Sequence, residues 1–151
     1  MVPAQNCKYV SVTPPAAIVD DASYTTAEID TLGFDYAKVV VYLGATDVAM
    51  TALAVTESDT SASGHANVTG LVYGTSTDID GSTSSLPSAT DDNKFFVFEI
   101  DLRGRKRYLD VTATAGDGTT GTFATIWAEL SRAEDTPVTA SDAGAAAILR
   151  V

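Results

Sequence analysis

The sequence predicts an all-β protein: a single β-sandwich or jelly-roll-like domain with extended N- and C-terminal arms, an open barrel being the runner-up. Three observations predict it. Thr, Ser, Ala, Val, Gly and Asp are abundant, while Lys, Glu, Gln and Leu, the residues of long helices, are scarce. Apolar and polar residues alternate in runs of strand length. Gly, Asp and Ser punctuate those runs at turn spacing. A chain of 151 residues is one domain with room for a core. The pattern divides it into an N-terminal arm at 1–22, a sandwich body at 23–133 and a C-terminal arm at 134–151.

The arm at 1–22 carries Pro3, Pro14 and Pro15, which forbid a helix or a central strand there. Within it Lys8–Thr13 reads as an edge strand and Ala16–Val19 as a short extended piece. Ser23–Thr31 is strand-like. Tyr36–Leu43 is the most apolar run. Val39, Val41 and Leu43 face one way and Val40 and Tyr42 the other, as in a central strand covered on both sides. Gly44–Asp47 is a turn, and Val48–Glu57 alternates again, which reads as a hairpin with the run before it. Asn67–Tyr73 fits one short strand. Gly74–Asn93 is a long polar loop, read either as a surface meeting another subunit or as a mobile loop.

Phe95–Leu102 and Arg107–Ala115 each have one apolar face, and Arg103-Gly104-Arg105-Lys106-Arg107 lies between them. That reads as a hairpin with a basic tip. Thr122–Arg132 follows a Gly-rich turn, and its 122–131 stretch would complete a three-stranded meander. After Glu134 the composition shifts to Ala, Ser and Gly, with Pro137 and room for a short helical turn at 143–149.

The net charge is −11 and the pI about 4.2. Acidity of this degree opposes nucleic-acid binding, which needs cations to displace the counterions of phosphates. No apolar run approaches the ~20 residues that span a bilayer, and MVPAQNCKYVSV lacks the plan of a signal peptide. The expectation is a soluble protein made in a cytoplasm, with no membrane partner. Cys7 is the single cysteine, so no internal disulfide can form.

No reaction is legible in the residues, and none of the patterns calls for a cofactor. His65 is the only histidine, and nothing around it resembles a nucleophile elbow. One His and one Cys cannot fill a zinc site without carboxylates. Asp78-Ile79-Asp80-Gly81-Ser82 has a calcium-loop look, but the twelfth position is Ala89, leaving Asp91 and Asp92 to contribute in some other geometry. Ordinary Asp-Gly turn chemistry explains the same residues. Phe95, Tyr108 and Trp127 either line one sheet face and stack on sugars or pack in the core or between subunits. Arg103, Arg105, Lys106 and Arg107 hold four of the nine basic residues. They are the candidate partner-binding residues, docking on an acidic surface; alternatively they pair with the chain's own carboxylates, such as Glu99, Asp101 and Asp110.

Four segments together carry a resemblance: TPPAAIVDDASYTTAEIDTLGFDYAKVVVYLGATD, SSLPSATDDN, DLRGRKRYLDVTATAGDGT and the closing LSRAED. Over residues 13–137 the chain resembles a family of small proteins of tailed phages and prophages encoded among head genes. Small β-rich head proteins of this kind are typically decoration, or cement, proteins. The resemblance implies a virion location on the capsid exterior, the major capsid protein as partner, self-association as a homotrimer, and no enzymatic activity. It supplies no functional residue to map. The alternatives are a carbohydrate-binding β-sandwich module and a tail or head–tail connector component.

Overall fold

A computed structural model describes residues 6–136 and 139–149. Eight strands are present: β1 (Lys8–Thr13), β2 (Ile29–Asp30), β3 (Phe34–Thr46), β4 (Ala52–Ser58), β5 (Ala66–Val72), β6 (Phe95–Asp101), β7 (Tyr108–Thr114) and β8 (Thr122–Ala133). They form two four-stranded antiparallel sheets packed as a β-sandwich. Sheet A runs β1-β8-β3-β6 and sheet B runs β2-β7-β4-β5. No α-helix occurs among the described residues. The winding is jelly-roll-like, since β1 pairs with β8, β2 with β7, β3 with β6 and β4 with β5.

The alternation seen in the sequence sets which side chains enter the core. From sheet A, Val39, Val41 and Leu43 of β3 and Ile126, Ala128 and Leu130 of β8 are buried. Leu53 and Val55 of β4 and Leu109, Val111 and Ala113 of β7 meet them from sheet B. Fully burying one such aliphatic side chain is worth about 1.5–3 kcal/mol.

Three expected connections are different. Phe95–Leu102 and Arg107–Ala115 are not a hairpin, because β6 lies in sheet A and β7 in sheet B. The segments 95–102, 107–115 and 122–131 accordingly form no meander. The turn expected at Gly44–Asp47 is not there: β3 runs on to Thr46, with a register shift between Leu43 and Thr46, and only then does the chain cross from sheet A to sheet B rather than into a hairpin. The reason is that period-2 alternation specifies one buried face per strand, and two facing strands of a sandwich satisfy it as well as two paired ones. Each crossing also carries an apolar residue into the core: Met50 between β3 and β4, Leu102 between β6 and β7, and Ala115 between β7 and β8.

Ser23–Thr31 is mostly extended chain without a ladder. It is held by a bridge at Ser23–Thr114 and by the buried ring of Tyr24, whose hydroxyl donates to the Thr122 carbonyl at 2.5 Å. β3 is central in sheet A, yet its second face is not covered by another layer. Val40 is buried there by its neighbours in the sheet.

β1 is an edge strand, as Lys8–Thr13 predicts. The chain that follows it lies on the body, with Val19 and Thr122 exchanging both main-chain hydrogen bonds at 3.1 and 2.7 Å. The C-terminal segment returns to the free side of β1, where the Tyr9 amide donates to the Ala143 carbonyl at 2.9 Å. Gly144 sits at φ +71°, so close to the Tyr9 carbonyl that a β-carbon would overlap it. The helical turn expected at 143–149 is absent; hydrogen-bonded turns at 139–145 take its place. Parts of both expected arms, residues 1–5, 137–138 and 150–151, lie outside the described residues.

Candidate binding face and edge groove

The outer face of sheet A is built in rows across the strands. One row is Val97, Val40, Trp127 and Ser11, and the next is Phe95, Tyr42 and Thr125. The Phe95 ring stacks on Tyr42 with centroids 4.6 Å apart and 24° between planes, and it meets Trp127 edge-on at 6.4 Å. Phe95 is 59% exposed, Phe123 42% and Val97 37%. Beyond the apolar rows lies a charged one, where Lys38 Nζ is 2.9 Å from Glu99 Oε1. Sheet B differs. Its outward Thr56 is buried beneath the 58–66 turn, with His65 Nδ1 3.5 Å from its hydroxyl.

A groove of about 660 Å³ follows the free edge of β6. Phe95, Val97, Glu99 and Lys38 form one wall. The end of β5 and a small hairpin in the 74–93 loop, closed by a Thr77–Thr83 bridge, form the other. That loop is fastened: the Ser84 amide donates to the Ser76 carbonyl at 2.8 Å, and the Met50 amide donates to the carbonyl of buried Pro87 at 2.8 Å. Tyr73 crosses between the sheets at the groove floor. Its hydroxyl donates to the Val97 carbonyl at 3.0 Å and accepts from the Val97 amide at 3.2 Å.

The basic segment forms the corner between β6 and β7, and each cation has a carboxylate within the chain. Arg103 is bidentate to Asp101 at 2.9 and 2.6 Å, and Arg107 is bidentate to Asp30 at 2.8 and 2.7 Å. Arg105 lies 3.6 Å from Glu57, and Lys106 lies 3.9 Å from Asp59. The Arg103 fork holds the Asp101 carboxyl down at about 2, and the Arg107 fork lowers that of Asp30. Arg103 and Arg132 both lie 5.6 Å from the Tyr36 ring centroid, and Arg107 lies 4.9 Å from that of Tyr108. Of the carboxylates the sequence suggested, only Asp101 is a partner. Glu99 serves Lys38, and Asp110 accepts from the Val111 amide.

His65, Glu28 and Thr56 superficially resemble a base, its orienter and a nucleophile. His65 Nε2 is 2.8 Å from Glu28 Oε2, and Glu28 also accepts from the Ser61 hydroxyl and the Ala62 amide, both at 2.7 Å. Those donors lower the Glu28 pKa, Ser61 foremost. The Thr56 hydroxyl is buried and donates to the Asp110 carbonyl at 3.3 Å, so no substrate carbonyl can reach it. The cluster clamps the 58–65 turn onto the chain before β2. Cys7 is buried, and burial pushes its thiol up to about 11, with Glu129 adding to the shift, so it is no thiolate nucleophile at neutral pH.

Asp78 Oδ1 accepts from the Asp80 and Ser82 amides at 3.0 and 2.9 Å, the Asp-turn alternative for the calcium-like stretch. Asp91 is engaged by Ser88 and Lys94, and Asp92 by the Thr46 amide. Among the described residues no three His, Cys, Asp or Glu side chains are grouped to hold a metal ion.

Of the three aromatics singled out from the sequence, Phe95 and Trp127 come together, and Tyr108 stands on sheet B. Tyr42, Val97 and Phe123 complete the face and were missed. The signal for Tyr42 was the second apolar face of Tyr36–Leu43, read as covered when it is the outer surface. No protein-family model matches the chain, and no match was found among curated proteins or solved structures.

Proposed function

We propose that the protein is a non-enzymatic decoration protein of a tailed-phage head. In this reading it binds the outside of the shell formed by the major capsid protein, as a homotrimer, through the outer face of sheet A. The observation that carries the docking role is the contiguous exposed set Phe95, Phe123 and Val97 around half-buried Tyr42 and Trp127. Contiguous apolar surface rimmed by charge marks interaction sites, and rigid aromatics supply most of the binding energy at interfaces. A fold of this winding occurs in capsid and lectin proteins alike, so fold alone is only an analogy.

The basic corner is the weaker docking candidate. Arg103, Arg105, Lys106 and Arg107 would have to leave partners they already hold, whereas the aromatic face gains from every apolar atom it desolvates. Acidity favours solubility at high copy number. The test is co-sedimentation with shells assembled from the capsid protein. Wild-type protein pellets with shells, and Phe123→Ser combined with Trp127→Ser remains in the supernatant while keeping its thermal transition. Shells that do not carry the wild-type protein down end this reading.

A further inference from the structure

The geometry points to the groove along β6 as a binding site for a neutral oligosaccharide; this goes beyond the docking role and stands without it. The first reason is the platform. Phe95 is fixed by its stack on Tyr42, and the rest of its exposed ring surface stands at the groove lip, available to the C–H face of a sugar ring. Exposed Ile79, at the tip of the 77–83 hairpin, supplies apolar surface on the other wall.

The second reason is the polar lining. Lys38 Nζ and Glu99 Oε1 bond each other, which leaves donors on the ammonium and an acceptor, Oε2, on the carboxylate. Across the groove, Asp78 spends Oδ1 on its own turn and keeps Oδ2. Ser84 Oγ accepts from the Gly74 amide, and its proton remains to be given. Hydroxyl groups are both donors and acceptors, and this mixed set suits them. Two carboxylates in the lining of a chain with net charge −11 repel an anionic ligand.

The third reason excludes an added peptide strand, the other natural occupant of a sheet edge. Strand addition needs the outward amide and carbonyl groups of β6, and both groups of Val97 at mid-strand are taken by the Tyr73 hydroxyl. A volume of about 660 Å³ lies within the range of small-ligand sites and admits a short oligosaccharide.

The test is an array of neutral gluco-, manno-, galacto- and N-acetylhexosamine oligosaccharides with sialylated counterparts, followed by titration of the strongest binder. Wild-type protein binds a neutral member. Phe95→Ser and Glu99→Gln each weaken that binding about tenfold or more, the cost of one stacking or charge-assisted contact. Glu99→Gln changes one exposed atom and carries the test if Phe95→Ser loses its thermal transition. Phe123→Ser, outside the groove, leaves sugar binding unchanged while weakening shell binding, so the two readings fail separately. Silence across the array, preference for sialylated members, affinity unaffected by Glu99→Gln, or selection of extended peptides from a display library instead overturns the proposal.

Discussion

The Tyr73 hydroxyl holds both main-chain groups of Val97, one as donor and one as acceptor, and so closes the middle of an edge strand with a side chain. Tyr73→Phe removes that closure and nothing else of comparable size. Leaving the two groups to water costs about 1 kcal/mol, read as a lower urea midpoint with unchanged slope. The reopened edge also raises self-association, seen by light scattering. Unchanged scattering at millimolar concentration would show that the edge is protected by other means.

The corner cations differ in what they hold together. Arg107, one residue before β7, grips Asp30 of β2 through a two-bond fork, whereas Lys106 reaches Asp59 only at 3.9 Å. Arg107→Ser lowers the melting temperature and Lys106→Ser leaves it unchanged, because a single exposed contact offers little against its own entropy. A cycle with Asp30→Asn assigns the loss to the pair, and the loss shrinks in high salt. Changing all four cations to Ser gives a folded protein with a lower transition.

Acid destabilises the sandwich through carboxylates that accept hydrogen bonds. Asp47 accepts from the Thr119, Thr120 and Gly121 amides at 2.7, 2.6 and 3.1 Å, closing the crossing before β8, and those amides lower its pKa. Glu28, Asp30, Asp91 and Asp101 are lowered as well. A group lowered on folding adds stability that is complete above the ordinary carboxylate value of about 4 and is lost as the pH falls through the folded value. Melting temperature is therefore flat near neutrality and falls from about pH 5 downward. Asp47→Asn flattens part of that fall.

The thiol of Cys7 reports on unfolding. Burial and Glu129 keep it protonated, with its pKa at about 11. A disulfide reagent at pH 8 reacts with it at the rate of opening of the chain around it, and immediately in denaturant. Fast labelling of the native protein contradicts the packing described.

Truncation in the core contrasts with truncation at the groove. Leu109→Ala empties a fully buried site and costs about 2–5 kcal/mol, while Ile79→Ser, 97% exposed, leaves the urea midpoint unmoved.

Strand positions were legible because the core imposes alternation on each strand separately. Lys8–Thr13 and Phe95–Asp101 fall where Val, Phe and Ile alternate with polar residues. Sheet membership was not legible, since Leu109 and Val111 show the same alternation whether β6 lies beside them or across the core. Only two members of the candidate face, Phe95 and Trp127, were legible. Tyr42 and Val40 look like core until β3 is known to have a bare side. The partners of Arg107 and His65 were illegible because Asp30 and Glu28 lie far from them in sequence, and only the folded chain brings them together.

Among the described strands, only β4 and β5 are both consecutive and paired. β8 lies between β1 and β3, and Lys8 meets Leu130. During synthesis, then, half of sheet A waits for β8, the last of the described strands. Until Ala133 clears the ribosome, β1 has no neighbour and β3 presents a long apolar edge. Such an order of assembly belongs to slow folders, on the scale of milliseconds to seconds, and leaves the nascent chain exposed to aggregation for its whole translation. A chain stopped after β7 is expected to aggregate rather than fold to a smaller sandwich, so the sandwich is an all-or-nothing product of β8.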